Sequence, residues 1–105
     1  MPPKSASAVP QLRETGRLRS VMAGQWPVRF WWTKHARAEM MKDHIRLPDI
    51  DRLCRHGAVV WIEWKHDELW HVEGTDLDGR SIRAVIAPME GDAETVIKVV
   101  TAMAL

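Results

Sequence analysis

Tyrosine is absent from these 105 residues, and cysteine and phenylalanine occur once each. A lone thiol, Cys54, excludes an internal disulfide and any paired-cysteine zinc motif, and it suits a reducing compartment, so a cytoplasmic protein is expected. No apolar run approaches the roughly 18 to 20 residues that cross a bilayer, and no membrane partner is expected. Met1 to Val9 holds one lysine and no apolar core, so it does not read as a secretory signal. There is no glycine-rich phosphate loop, no Gly-x-Ser-x-Gly elbow and no His-Glu-x-x-His. The Cys54-x-His56 spacing is not a zinc pattern, and the sequence implies no metal and no cofactor. The length suits one modest core, which excludes a cleft between domains. Any chemistry therefore belongs on an open face or in a shallow groove.

Tryptophan, by contrast, occurs six times, and the charge is unevenly spread. Residues 1–46 carry nine Lys/Arg and three Asp/Glu, whereas residues 47–105 carry six and eleven. Such asymmetry fits a surface that meets a polyanion or an acidic partner, and equally two halves that neutralise each other on folding.

Two units are expected: a basic N-terminal extension, residues 1–27, flexible at least to about residue 10, and an α+β domain, residues 28–105. The first ten residues are rich in Pro, Ser and Ala. A short basic helix can follow over 11–23, weakened at Gly16 by about 1 kcal/mol relative to alanine. Val28 to Trp32 reads as a strand. Thr33 is a natural N-cap for a helix through His44. Pro48 and Asp49 open a second helix, 48–56, which Arg55, His56 and Gly57 close. Beyond Gly57 the apolar period becomes two, and strands 58–65, 68–74, 81–88 and 95–102 form a four-stranded antiparallel meander with the helices on one face.

Pairing Trp64 with Trp70, Trp70 with Ile86 and Val72 with Ala84 places Val60, Ile62, Trp64, Trp70, Val72, Ile82, Ala84 and Ile86 on the helix side. Trp64, Trp70 and one of Trp31 and Trp32 then build the core. The other face carries Trp61, Glu63, Lys65, His71, Glu73 and Arg83, with Glu63 opposite His71 and Glu73 opposite Arg83. Cleaving RNA through its own 2′-hydroxyl needs a base, an acid and a cation for the phosphorane, and Glu63, His71 and Arg83 can fill these roles. The neighbouring carboxylate is expected to raise the His71 pKa and make it the general acid. Trp61 offers a stacking platform for a base. The same residues also suit plain solvated cross-strand pairs. A second cluster, Lys34, His35 and Arg37, opens the first helix, where free N–H groups favour a phosphate; Lys42 extends its charge. Here the alternative is a histidine that caps or packs under the sheet edge.

Trp32-Thr33-Lys34-His35-Ala36-Arg37, Met40, Ile45 and Asp49-Ile50, with the later Val72-Glu73-Gly74-Thr75, Asp78-Gly79-Arg80 and Val100-Thr101, resemble a small bacterial domain family of unknown function. That family is similar to the BrnT toxins and, more distantly, to RelE/ParE toxins. The resemblance spans about residues 30–103. It implies a BrnT/RelE-like α+β fold, mRNA cleavage, and neutralisation by a cognate antitoxin. His35, Arg37 and Arg80 match its pattern. Asp43 and His44 stand where the family often has Arg-Gly, and the basic N-terminal extension lies outside the pattern. Together these readings lead to a toxin-like endoribonuclease, or an RNA-binding relative that does not cut. The alternative is a phage- or plasmid-encoded inhibitor that binds a host protein or nucleic-acid enzyme. Convergence of Glu63, His71 and Arg83 with His35 around one groove distinguishes the two.

Overall fold

The computed structural model describes residues 10–24, 27–90 and 94–105. The tail expected over residues 1–10 lies outside the described residues except for Pro10, as do Trp26 and the turn at Gly91-Asp92. The elements run α1 (Leu12–Ala23), β1 (Val28–Trp32), α2 (Lys34–Lys42), α3 (Leu47–His56), β2 (Ala58–Trp64), β3 (Glu68–Thr75), β4 (Ser81–Glu90) and β5 (Thr95–Ala104). The strands form one sheet in the order β1-β5-β4-β3-β2.

Local chemistry explains the helix ends. The Thr33 hydroxyl accepts from the Ala36 N–H at 3.0 Å and donates to the Val100 carbonyl at 2.9 Å, so one side chain caps α2 and fastens it to β5. The end of α2 is a Schellman turn: the Ile45 N–H reaches the Met40 carbonyl at 2.8 Å and the His44 N–H that of Met41 at 3.4 Å. This puts His44 in the left-handed region, φ 56°. Asp43 accepts from the Ala104 N–H at 2.8 Å and ties the same end to β5. At the start of α3, Asp49 accepts from the Arg46 N–H at 2.9 Å and, with its other oxygen, from the Leu77 N–H at 2.9 Å, linking the helix to the β3–β4 turn. Where α3 ends, a Cβ on Gly74 would lie 3.0 Å from the Gly57 Cα, so two glycines permit the close passage of β3 under the helix.

All three helices pack on one face of the sheet. Leu18 and Met22 of α1, Ala36 and Met40 of α2, and Ile50, Leu53 and Cys54 of α3 meet Val59, Trp70, Val72, Ile82, Ala84, Ile86, Ile97, Val99 and Ala102. Leu18 is wholly buried, and Arg19 donates to the Cys54 and Gly57 carbonyls, so α1 belongs to the fold rather than to an appended extension. It also blunts the free edge of β2: the Gln11 N–H donates to the Val59 carbonyl, and the Thr15 hydroxyl accepts from the Val59 N–H.

Three expectations are corrected. The sheet is five-stranded and mixed, because β1 pairs parallel with β5, from Val28 with Thr95 to Trp32 with Val99. Trp70 pairs with Ile62, while Trp64 pairs with Glu68 across a shorter hairpin. Trp64 therefore sits at the end of the hairpin, where it borders a shallow pocket with Arg13, Glu14 and Arg17 of α1, and is 74% exposed, not core. Third, a bulge between Val59 and Trp61 makes Val59, not Val60, the residue that meets the helices. The pairings Trp70–Ile86, Val72–Ala84 and Glu73–Arg83 are those expected.

Candidate functional site

The bulge reverses the facing of β2, so Trp61 and Glu63 point away from the helices. Cross-strand rows then assemble the helix-free face. One row is Trp61, His71, Val85 and Thr101, and its neighbour is Ala58, Glu73, Arg83 and Met103. Trp31 and Lys98 pair toward the opposite edge, the ammonium 5.1 Å from the indole centroid.

His71 sits on this face one strand in from the β2 edge. Its Nε2 lies 3.1 Å from Glu63 Oε1, although the registered partner of Glu63 is Leu69 and that of His71 is Trp61. The pair thus closes diagonally. Lys65 approaches the other Glu63 oxygen at 3.4 Å. The hydrogen bond from His71, with help from Lys65, holds the Glu63 carboxyl below its usual pKa. The imidazole is only 5% exposed, and burial lowers its pKa more than the Glu63 carboxylate raises it. This corrects the expected direction: the ring is neutral at neutral pH, suited to a base rather than an acid. With Nε2–H donated to Glu63, Nδ1 keeps its lone pair, and this buried atom has no partner among the described residues. The Trp61 ring lies against the imidazole, centroids 5.1 Å apart and tilted by 39°.

One row away, Arg83 is buried and holds Glu73, its Nε donating at 2.7 Å with a second N–H on the same oxygen. Arg83 is near enough for its charge to oppose protonation of His71. Glu63, His71, Arg83 and Trp61 therefore do share one face.

The other candidates do not join them. Lys34, His35, Arg37 and Lys42 are on α2, which packs against β5 and β1 from the helix side, and all four are exposed. Arg80 is held in the β3–β4 turn, where Asp76 accepts its backbone N–H at 2.8 Å and its Nε at 3.0 Å. Burial pushes the Asp76 carboxyl up, but the hydrogen bonds from Arg80 and Asp78 outweigh it and hold the group below its usual range. Arg80 thus shapes the turn. Cys54 is fully buried in α3, and burial, aided by Asp51, pushes its thiol up to about 12.

No protein-family model matches the chain, and no curated protein does. Among the described residues, no three His, Cys, Asp or Glu side chains cluster as a metal site, and no helix is long and apolar enough to cross a membrane.

Sequence reasoning missed two features, one at this site and one on the helix side of the sheet. The unpartnered Nδ1 depends on burial, which no residue pattern reports. A groove bordered by the end of α2 and the start of α3, and lined by Trp32, Arg37, Met40, Met41, Ile45, Arg46 and Leu47, also escaped it. Its only advance signal is the apolar Met41 and Leu47 flanking the Asp43–Arg46 connection.

Proposed function

We propose that the helix-free face is the acid–base site of a small, toxin-like endoribonuclease. The observation that carries this reading is the His71 imidazole: neutral through burial, fixed through Nε2 by Glu63, and left with an unpartnered Nδ1. The element order, an early strand and two helices followed by antiparallel strands, supports the BrnT/RelE-like resemblance on which the toxin-like part rests.

In the reaction, Nδ1 takes the proton of an RNA 2′-hydroxyl. The 2′-oxygen bonds to the adjacent phosphorus, the bond from phosphorus to the 5′-oxygen breaks, and the leaving oxygen takes a proton from water. The products are a 2′,3′-cyclic phosphate and a 5′-hydroxyl. Glu63 holds the tautomer and stabilises the imidazolium as it forms. Trp61, whose ring lies against the imidazole, is the side chain placed to stack on the base. Lys65, Lys98 and Arg29 flank the face and can meet phosphates.

The test incubates the purified chain with a structured RNA and maps ends by mass spectrometry. Cyclic phosphate ends are expected, and His71→Ala should lower the rate roughly 10² to 10⁴-fold, the usual contribution of a positioned base. Glu63→Gln should lower it as well and shift the pH profile. A parent protein that does not cut, or a His71→Ala variant that cuts normally, overturns the reading.

One observation favours the interaction-module alternative: the α2 cations lie behind the sheet rather than around His71, so the expected convergence with His35 does not occur.

A further inference from the structure

Among the described residues, ion pairing between the two halves of the chain is sparse. Of the ion pairs among the described residues, Arg29–Glu94 joins the basic first half to the acidic second half. Arg55–Asp51, Lys65–Glu63, His71–Glu63, Arg80–Asp76 and Arg83–Glu73 all lie within residues 47–105. Lys34, Arg37, Lys42 and Arg46 are exposed, and none of their side-chain charges forms an ion pair among the described residues. The charge of these four cations is therefore open to something outside the chain.

Two of these cations, Arg37 and Arg46, border the groove between α2 and α3. Its walls are apolar. Met40 and Ile45 are buried beneath it, Trp32 packs against the core, and Met41 and Leu47 stand 72% and 44% exposed at the rim. A volume of about 370 Å³ fits two or three apolar side chains, not a folded surface. Apart from Trp32 of β1, its lining comes from α2, the connection after it and the start of α3, so an occupant is recognised by packing between helix ends, as a helix is in a groove. Methionine adapts its shape to such an occupant.

We infer that this groove docks an acidic amphipathic helix of a partner protein. Apolar residues spaced i, i+3 or i+4, and i+7 would enter between Met41 and Leu47, and flanking Asp or Glu would meet Arg37 and Arg46. Arginine's planar fork suits bidentate carboxylate pairing. The surface is independent of the His71 site, because it lies on the helix side of the sheet.

The test selects binders from a display library of helix-constrained random peptides against the full chain. The enriched sequences should combine apolar i, i+3/i+4, i+7 positions with net negative charge. A selected peptide, followed by fluorescence anisotropy, should lose at least about tenfold in affinity with Met41→Ser or with Arg37→Glu/Arg46→Glu. Reselection on the charge-reversed variant should favour basic peptides. All three substitutions are at exposed positions, and unchanged circular dichroism and melting confirm intact folds. His71→Ala should bind the peptide normally, which separates failure here from failure of the ribonuclease reading. Enrichment without acidic bias, or affinity indifferent to the groove variants, overturns the inference. So does displacement of the peptide by short RNA at equal charge concentration, or self-association of the chain through Met41 and Leu47.

Discussion

Replacing Trp70 and Trp64 separately tests the register on which the site depends. Trp70 is 2% exposed. Its Nε1–H donates to Glu68 at 2.8 Å, and the Arg17 guanidinium lies 5.5 Å from its ring centroid. An indole of roughly 200 Å² at about 25 cal/mol per Å² corresponds to roughly 5 kcal/mol of transfer free energy. Measured losses for buried Trp→Ala run about 3–5 kcal/mol. The cation–π contact adds roughly 0.5–1 kcal/mol, so Trp70→Ala belongs at the upper end. Trp64 keeps about three-quarters of its surface in water, and the same arithmetic leaves roughly 1 kcal/mol for Trp64→Ala.

Urea denaturation followed by far-UV circular dichroism measures both, because the signal does not depend on the tryptophan removed. For 105 residues, each kcal/mol corresponds to about 4–5 °C in melting temperature, so Trp70→Ala should melt roughly 15–20 °C below the parent. That is a large share of a small domain's stability, and the variant can fail to fold. Trp70→Phe keeps most of the ring but loses the donor to Glu68, and should cost about 1–2 kcal/mol. Equal losses at Trp64 and Trp70 would refute the pairing of Ile62 with Trp70, and with it the diagonal approach of Glu63 to His71.

Three further outcomes follow from the same geometry. His44→Gly should stabilise by about 0.5–1 kcal/mol in thermal melts, since the left-handed backbone at φ 56° burdens any residue with a Cβ; a loss of stability would show that the His44 side chain supports the turn. The unfolded chain protonates His71 near the ordinary value of 6.5, whereas the buried ring resists it, so the stability from this group is complete above that pH and declines as the pH falls below it. A denaturation midpoint that rises from pH 7 to pH 5.5 would contradict this sign. Cys54 should be inert to a thiol reagent in the native protein at pH 8 and react fully in urea; rapid native labelling would mean that α3 opens.

Much of the fold is legible in the residues because several local signals agree. Pro48, Asp49, Arg55, His56 and Gly57 mark α3 from both ends, and Thr33 marks the start of α2. Around Asp78-Gly79 the strict period of two admits one apolar register, hence the correct Trp70–Ile86 and Glu73–Arg83 pairings. Between β2 and β3 both apolar registers keep Ile62 and Trp70 inward, and the bulge that decides between them leaves no residue signature at Val59-Val60-Trp61. The parallel pairing of β1 with β5 joins residues more than sixty apart and rests on long-range packing. At the site, the sequence shows the carboxylate neighbour of His71 but not the burial, and burial determines the direction of its pKa. His35 and His71 can be expected to meet only while the layers are unknown; once α2 lies behind the sheet, they cannot.

A buried polar atom without a partner lowers stability by about 1–3 kcal/mol relative to one that is satisfied. His71 Nδ1 is such an atom, and the helix-free face around it already includes Val85, Ala87 and Met103. A leucine there would fill similar space without the orphan. Glu63 would remain near Lys65 at 3.4 Å and, with its side chain 22% exposed, in contact with water, so losing the imidazole does not strand a charge. His71→Leu should therefore be neutral or stabilise by roughly 1 kcal/mol, and it should abolish RNA cleavage. Its stability should also lose the decline below pH 6.5 that protonation of His71 causes. Equilibrium unfolding at pH 7.5 and pH 5.5, measured beside the cleavage assay, tests all three expectations. A gain in stability with a loss of activity marks a residue held for chemistry at the expense of packing. A loss of more than about 2 kcal/mol at pH 7.5 would make the Glu63–His71 pair a strut of the sheet, and the acid–base role would fall with it.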